Sequence, residues 1–237
     1  MLKTILIFVI FGFCAVFAMP IVLIAFILSF VGLKKPMSLL TYKIAQGWAL
    51  LTLKISGCPL TLEGKENIPK KGGVCFVSNH GSVFDIILAL ACIGRPFGFI
   101  AKKDLLFIPF LNVWIYILGG LFIDRKNPRK ALKTINKGIR RLKAGSAILV
   151  FPEGHRSKGQ GILPFKPGSF KLATQSGVPI VPIALSGTYE VYEKNRCLNI
   201  TPMRMVFSPP LATDNISSVN RKQSLAEEVQ GIIEAAL

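Results

Sequence analysis

From Thr4 to Leu33 the chain runs for thirty residues without a single charged side chain, and Lys34 and Lys35 then stop the run. Few folds accept such a segment. As one straight helix it would measure roughly 45 Å, against a hydrocarbon core of about 30 Å. Pro20 divides the run and is expected to kink it. The segment is therefore expected either to cross a bilayer tilted or to enter one leaflet and bend. A cleaved signal peptide is the alternative, with Lys3 in the leading region and Val16-Phe17-Ala18 as a cleavage site, but the apolar run continues well past Ala18. The lysines that follow place the remainder on the cytoplasmic side. Pro36–Ser56 is also mostly apolar, with Lys43, Gln46 and Lys54 interspersed. It reads either as an interfacial helix that lies on the membrane or folds back on the first, or as a core helix of the next domain.

The rest of the 237-residue chain has room for one sizeable α/β domain. We expect a membrane-anchoring helical segment over 1–57 and a folded domain over 58–237. Hydrophobic residues make up 51%, charged residues only 17%, and the mean hydropathy is +0.52. That is too apolar for an ordinary soluble domain and too charged for a multi-span membrane protein. A net charge of +17 calls for an anionic partner. The aromatics Phe107, Phe110, Trp114 and Tyr116 lie in a run without charge, unlike a stacking platform among basic residues, so an anionic membrane surface is favoured and no nucleic acid is expected. Five cysteines without C-x-x-C spacing, beside two histidines, suggest neither disulfides nor a metal site.

Apolar runs at 72–79, 97–102, 120–124, 146–151, 178–186 and 203–208 read as strands, and 82–93 as a helix ending before Gly94 and Pro96. Asn127-Pro128 opens a helix, as N-cap and first residue, that Gly145 closes. Its basic residues, Arg129 to Lys143 with no acid among them, suit docking on anionic lipid or on an acidic carrier as well as plain solvation. Arg221–Leu237 is an amphipathic helix with Leu225, Val229, Ile232 and Ile233 on one side. The alternation predicts an α/β fold: a mixed, largely parallel sheet flanked by helices, with an N-terminal membrane-associated helical segment.

The candidate chemistry sits in "SNHGSVFD", residues 78–85. A strand ending at Asn79 places His80 in the turn beyond its C-terminal edge, where α/β proteins put ligands. Ser82 is expected to cap the following helix with Asp85 at its third position. A carboxylate there can hold one tautomer of the imidazole, leaving the other nitrogen to take a proton from a hydroxyl. Ser-x-x-Asp is equally an ordinary capping box.

Three more stretches follow in order: "FIDR" (122–125), "FPEGHRS" (151–157) and "VPIVPIALSG" (178–187). With "NHGSVFD" they resemble the four ordered motifs of the glycerolipid acyltransferases, in particular of the 1-acyl-sn-glycerol-3-phosphate acyltransferases, which make phosphatidic acid. "EGKENIP", "IAKKDLLFIPF" and "LPFKPGSF" support the resemblance, which covers roughly Leu62 to Gly187. It implies that His80 deprotonates the sn-2 hydroxyl of lysophosphatidic acid, that Asp85 orients His80, and that the alkoxide attacks an acyl thioester directly. The sequence shows no G-x-S-x-G elbow for an acyl-enzyme. Arg125 and Arg156 would clamp the phosphate. Glu153 and Gly154 would shape the acceptor site, the carboxylate positioning Arg156 or accepting from a glycerol hydroxyl. Lys102 or Lys103 would add charge there, with Lys166 a weaker candidate. No cofactor or metal is implied; acyl-CoA or acyl carrier protein serves as co-substrate, and the enzyme works at the cell membrane with its active domain on the cytoplasmic face. Where the family has Thr before the motif arginine, this chain has His155, a phosphate donor or a turn residue. The apolar run 105–120 lines an acyl groove, dips into the leaflet, or is plain core. Another lysophospholipid or glycerol 3-phosphate as acceptor, a lipid hydrolase in which His80 activates water, and a non-catalytic lipid-binding scaffold are the alternatives.

Overall fold

The computed structural model describes residues 9, 12–13, 16–213 and 219–237. Lys3, Cys14 and the start of the uncharged run lie outside them. Helix α1, Met19–Phe30, carries Pro20 in its first turn, where a missing N–H costs nothing. Val16 and Phe17 before it are helical and Ala18 is a turn, so Pro20 stands where the helical run is interrupted. The chain then reverses at Val31-Gly32, with Gly32 at φ 86°, and α2, Lys34–Ser56, runs back beside α1 until Gly57 closes it at φ 70°. Among the described residues no helix is long and apolar enough to cross a membrane.

The remaining elements are β1 (Leu60–Glu63), β2 (Val74–Ser78), α3 (Phe84–Cys92), β3 (Phe97–Lys102), α4 (Leu111–Ile117), β4 (Leu121–Ile123), α5 (Pro128–Lys143), β5 (Ala147–Val150), α6 (Lys171–Ser176), β6 (Ile180–Ser186), α7 (Thr188–Val191), β7 (Met203–Phe207) and α8 (Val219–Ala235). One seven-stranded sheet has the order β1-β7-β6-β2-β5-β3-β4. All neighbours pair in parallel except β6 with β7. The expected mixed, largely parallel α/β fold is what forms. Strands buried on both faces must be apolar throughout; β2 reads Val-Cys-Phe-Val-Ser and is buried at every position.

Side-chain alternation divides the core into two layers. Val74 and Phe76 of β2 point to one face and pack with α3 and with Tyr42, Ala45, Ala49 and Leu53 of α2. Cys75 and Val77 point to the other, against Leu142 of α5, Phe170, Leu172 of α6 and Leu225, Val229 and Ile233 of α8. So α2 is both readings at once: it folds back on α1, and its inner face belongs to the domain core, where Gln46 also donates to the Ala91 carbonyl. Packing is therefore continuous across the boundary expected at residue 57. The outer faces of the hairpin stay apolar and open, with Phe17, Ile24, Ile27 and Leu50 all more than half exposed.

Four elements were not expected: β1, α4 and the short helices α6 and α7. β1 is four residues long, too short to carry a period, and α4 interrupts the 105–120 run. Burial pushes the thiols of Cys75 and Cys92 up to about 12 and about 11, the behaviour of inert packed cysteines.

Candidate active site

Five parallel strands end their C-terminal edges on one side of the sheet. There, loops after β2, β4 and β5 meet over a cavity of about 1500 Å³. Its walls are mostly apolar: Trp48 and Leu51 of α2, Phe84 and Ile87 of α3, Trp114 and Leu118. His80, Lys102, Arg125, Gly154, His155, Arg156 and Lys166 also reach it.

The turn after β2 is fixed from below. Asn79 is buried, and its side chain accepts from the Leu185 amide at 2.9 Å and donates to the Leu185 carbonyl at 2.8 Å. It thus extends the β2–β6 pairing by one residue through a side chain. His80 is next held at both backbone groups by the loop after β5. Its N–H donates to Glu153 Oε1 at 2.6 Å, and its carbonyl accepts from the Ser157 amide at 2.8 Å. The imidazole stacks on Phe151 with ring centroids 4.1 Å apart.

His80 Nδ1 donates to Asp85 Oδ2 at 2.8 Å. The same oxygen accepts from the amides of Gly81 at 2.8 Å and Ser82 at 2.9 Å. Asp85 is fully buried, so this one oxygen carries three donors out of contact with solvent. The local geometry differs from expectation in one detail. Helix α3 begins at Phe84, with Val83 at the cap position, so Asp85 is its second residue and Ser82 lies just outside it. Ser82 Oγ instead accepts from the Phe84 amide at 2.9 Å. With Val83 N–H donating to Glu193 Oε1 at 2.8 Å, every amide from residue 81 to 84 is already engaged. The turn has no spare backbone donor to offer a developing oxyanion.

The cations sort themselves by partner. Arg125 Nη1 donates to the Gly154 carbonyl, which ties the loop after β4 to the loop after β5, and burial depresses its pKa. Arg156 Nη1 pairs with Glu193 Oε1 at 3.2 Å. Neither arginine pairs with Asp124 or Glu153. Lys102 faces the cavity and pairs with Asp104, whereas Lys103 turns away to Asp124 Oδ2 at 3.1 Å. That hydrogen bond holds the Asp124 carboxyl below its ordinary range. Gly154 has φ 81°, and a Cβ there would stand 2.8 Å from Lys166 Nζ, so the lysine head lies directly over this glycine.

Glu153 is placed differently from the expectation. It is 1% exposed, and it accepts from His80 N–H and, at 3.0 Å, from Leu163 N–H. It neither reaches Arg156 nor opens to a substrate hydroxyl; it braces the histidine turn from behind. Burial raises its carboxyl above the ordinary value. His155 is exposed on the cavity rim. Among the described residues no cluster of His, Cys, Asp or Glu has the makings of a metal site.

Sequence reading missed Glu193, Asn79 and Phe151. Phe151 and Asn79 flank motif residues, and a polar residue ending a buried strand is a usable signal. Glu193 has none: it joins Ser82 and Arg156 across 111 and 37 residues of chain.

Comparison with known proteins identifies the family and the fold. The acyltransferase family profile matches residues 59–186. The 1-acyl-sn-glycerol-3-phosphate acyltransferase of Borreliella burgdorferi is 35% identical over 149 residues, 63% of this chain and 60% of that protein. The enzyme of the same name from Escherichia coli is 39% identical over 129 residues, 54% of this chain and 53% of that protein. The chain thus spans about half to 60% of the length of the curated relatives it matches. The crystal structure of the 1-acyl-sn-glycerophosphate (LPA) acyltransferase PlsC from Thermotoga maritima superposes with a TM-score of 0.81 at 29% identity, covering 99% of this chain and 95% of that one. Motifs, sheet and profile coincide over the same residues: the chain belongs to the acyltransferase family.

Proposed function

We propose that this protein transfers a fatty acyl group from an acyl thioester to the sn-2 hydroxyl of lysophosphatidic acid, giving phosphatidic acid. The observation that carries the reading is the His80–Asp85 pair, 2.8 Å apart, opening onto a large apolar cavity rimmed by Arg125 and Arg156. Asp85 fixes the proton on Nδ1, so Nε2 is the free base. Nε2 takes the proton of the acceptor hydroxyl as its oxygen attacks the thioester carbonyl carbon. The tetrahedral adduct collapses, the C–S bond breaks, and the thiolate takes the proton back from the imidazolium. General base catalysis of this kind contributes typically 10²–10⁴-fold.

The phosphate of the acceptor sits between the guanidinium forks of Arg125 and Arg156, with Lys102 adding charge. The apolar cavity takes the acyl chain. Acyl-CoA or acyl carrier protein, both anionic, enters as co-substrate. The open apolar faces of the α1–α2 hairpin, together with the exposed Phe107 and Phe110 and the basic face of α5, support binding to an anionic membrane surface, with the domain on the cytoplasmic side.

The test is purified protein with labelled acyl-CoA and labelled acyl carrier protein, offered lysophosphatidic acid, other lysophospholipids and glycerol 3-phosphate. Ester product from lysophosphatidic acid is expected; free fatty acid alone would mean a hydrolase. His80→Ala abolishes transfer and His155→Ala only weakens it. The reverse result moves the base to the third motif.

A further inference from the structure

Glu193 stands outside all four motifs, yet it accepts as many hydrogen bonds at the site as Asp85 does. It follows α7 in a loop closed by its own hydrogen bonds: Lys194 N–H to the Tyr189 carbonyl at 3.2 Å, and Asn199 N–H to the Val191 carbonyl at 2.8 Å. From that base its side chain, 17% exposed, spans two motifs. Oε2 accepts from Ser82 Oγ at 2.6 Å, and Oε1 accepts from Val83 N–H at 2.8 Å and from Arg156 Nη1 at 3.2 Å.

We propose that Glu193 is a positioning residue for acceptor recognition: it holds Arg156 by one edge of its guanidinium and so presents the other edge to the acceptor phosphate. The inference rests on the reading that Arg156 binds that phosphate. A guanidinium has five N–H donors in a rigid fork. One is committed to Glu193, which leaves enough for a bidentate phosphate contact. Arg156 is 38% exposed on a long side chain, so without a tether it would lose several rotamers on binding. The tether meets that ordering cost before the ligand arrives. The same carboxylate anchors the turn that carries His80, so phosphate register and base position share one fixed point.

A merely structural role, capping the turn before α3, predicts something different, and Glu193→Gln separates the two. The Gln carbonyl can keep the Val83 N–H bond. Its NH₂ can donate to Ser82 Oγ, whose other lone pair serves Phe84 N–H. The cap survives, while the ion pair with Arg156 is reduced to a neutral hydrogen bond. Expected for E193Q is a KM for lysophosphatidic acid raised about three- to tenfold, kcat within about twofold, and a Tm lowered by no more than about 2–12 °C, the cost of the buried Ser82 hydroxyl left without its acceptor. KM for monoacylglycerol, which lacks the phosphate, stays as it was. In an Arg156→Ala background E193Q has no further effect on KM. An unchanged or lowered KM for lysophosphatidic acid in E193Q, or an equal effect in both backgrounds, overturns the inference. If Arg156→Ala leaves that KM unchanged, the phosphate reading of Arg156 falls as well; if it raises KM while E193Q does not, the role of Glu193 alone falls. Glu193→Ala, read by Tm, reports what the cap contributes.

Discussion

Asp85→Asn isolates the contribution of a single buried charge. Asp85 uses one oxygen for three donors, His80 Nδ1, Gly81 N–H and Ser82 N–H, while Oδ1 has no partner among the described residues. An asparagine has one carbonyl, and it must take the Oδ2 position, because the NH₂ placed there would face two backbone N–H groups. The geometry of the histidine and its tautomer are thus retained. Two things change. The amide NH₂ lands where Oδ1 was, a buried donor without an acceptor, which costs about 1–3 kcal/mol and lowers Tm by about 2–12 °C. The imidazolium that forms during transfer also loses the negative charge 2.8 Å from its Nδ1. Turnover should fall about 10²–10³-fold, equivalent to about 3–4 kcal/mol at the transition state. KM for both substrates stays within about threefold, since nothing on the cavity wall moves. Steady-state kinetics below the variant's Tm measure this, and the double variant with His80→Ala should be no slower than His80→Ala alone. A loss in kcat of less than tenfold, or a double variant whose losses multiply, would refute the division of labour between base and orienting acid.

Two further outcomes test the frame around the site. A Cβ at Gly138 in α5 would stand 2.5 Å from Leu172 Cδ2 and 3.1 Å from Leu121 Cδ1, so Gly138→Ala should cost about 1–3 kcal/mol by denaturant unfolding despite the better helix former. Glu153 has a carboxyl raised by burial, so its contribution to stability is full below the ordinary carboxylate range and is lost as pH rises through the raised value. Glu153→Gln removes that loss; its Tm deficit against wild type should therefore be larger near pH 4 than near pH 7, and a constant deficit would contradict the assignment.

The strands were legible because parallel pairing buries both faces and so demands unbroken apolar runs, as in β2 and β6. Helix α5 was legible residue for residue: Asn127 accepts from Lys130 N–H at 3.0 Å, as its cap position requires. The pairing of His80 with Asp85 was readable because both ends lie within six residues of each other. What could not be read lies in contacts remote in sequence. Nothing local says that Glu153 points back at His80 N–H rather than out at a ligand, since a Pro-Glu-Gly turn accommodates both. Nothing local links Glu193 to Arg156. The reversal after α1 was legible only as one of several readings of Pro36–Ser56, because an apolar stretch with a few interspersed polar residues looks alike whether it lies on a membrane, folds back or packs in a core.

The two bonds that seize His80 by its main chain, from its N–H to Glu153 and from Ser157 N–H to its carbonyl, have a practical corollary for anyone redesigning the protein. The loop from 151 to 163 is no interchangeable specificity cassette. Any graft or insertion there drags the imidazole along with it, and an ångström of displacement is enough to cost about a hundredfold in rate. On the proposed function, headgroup preference and catalytic power are tied together along this segment, and libraries that seek one without the other belong on the helices around the cavity instead.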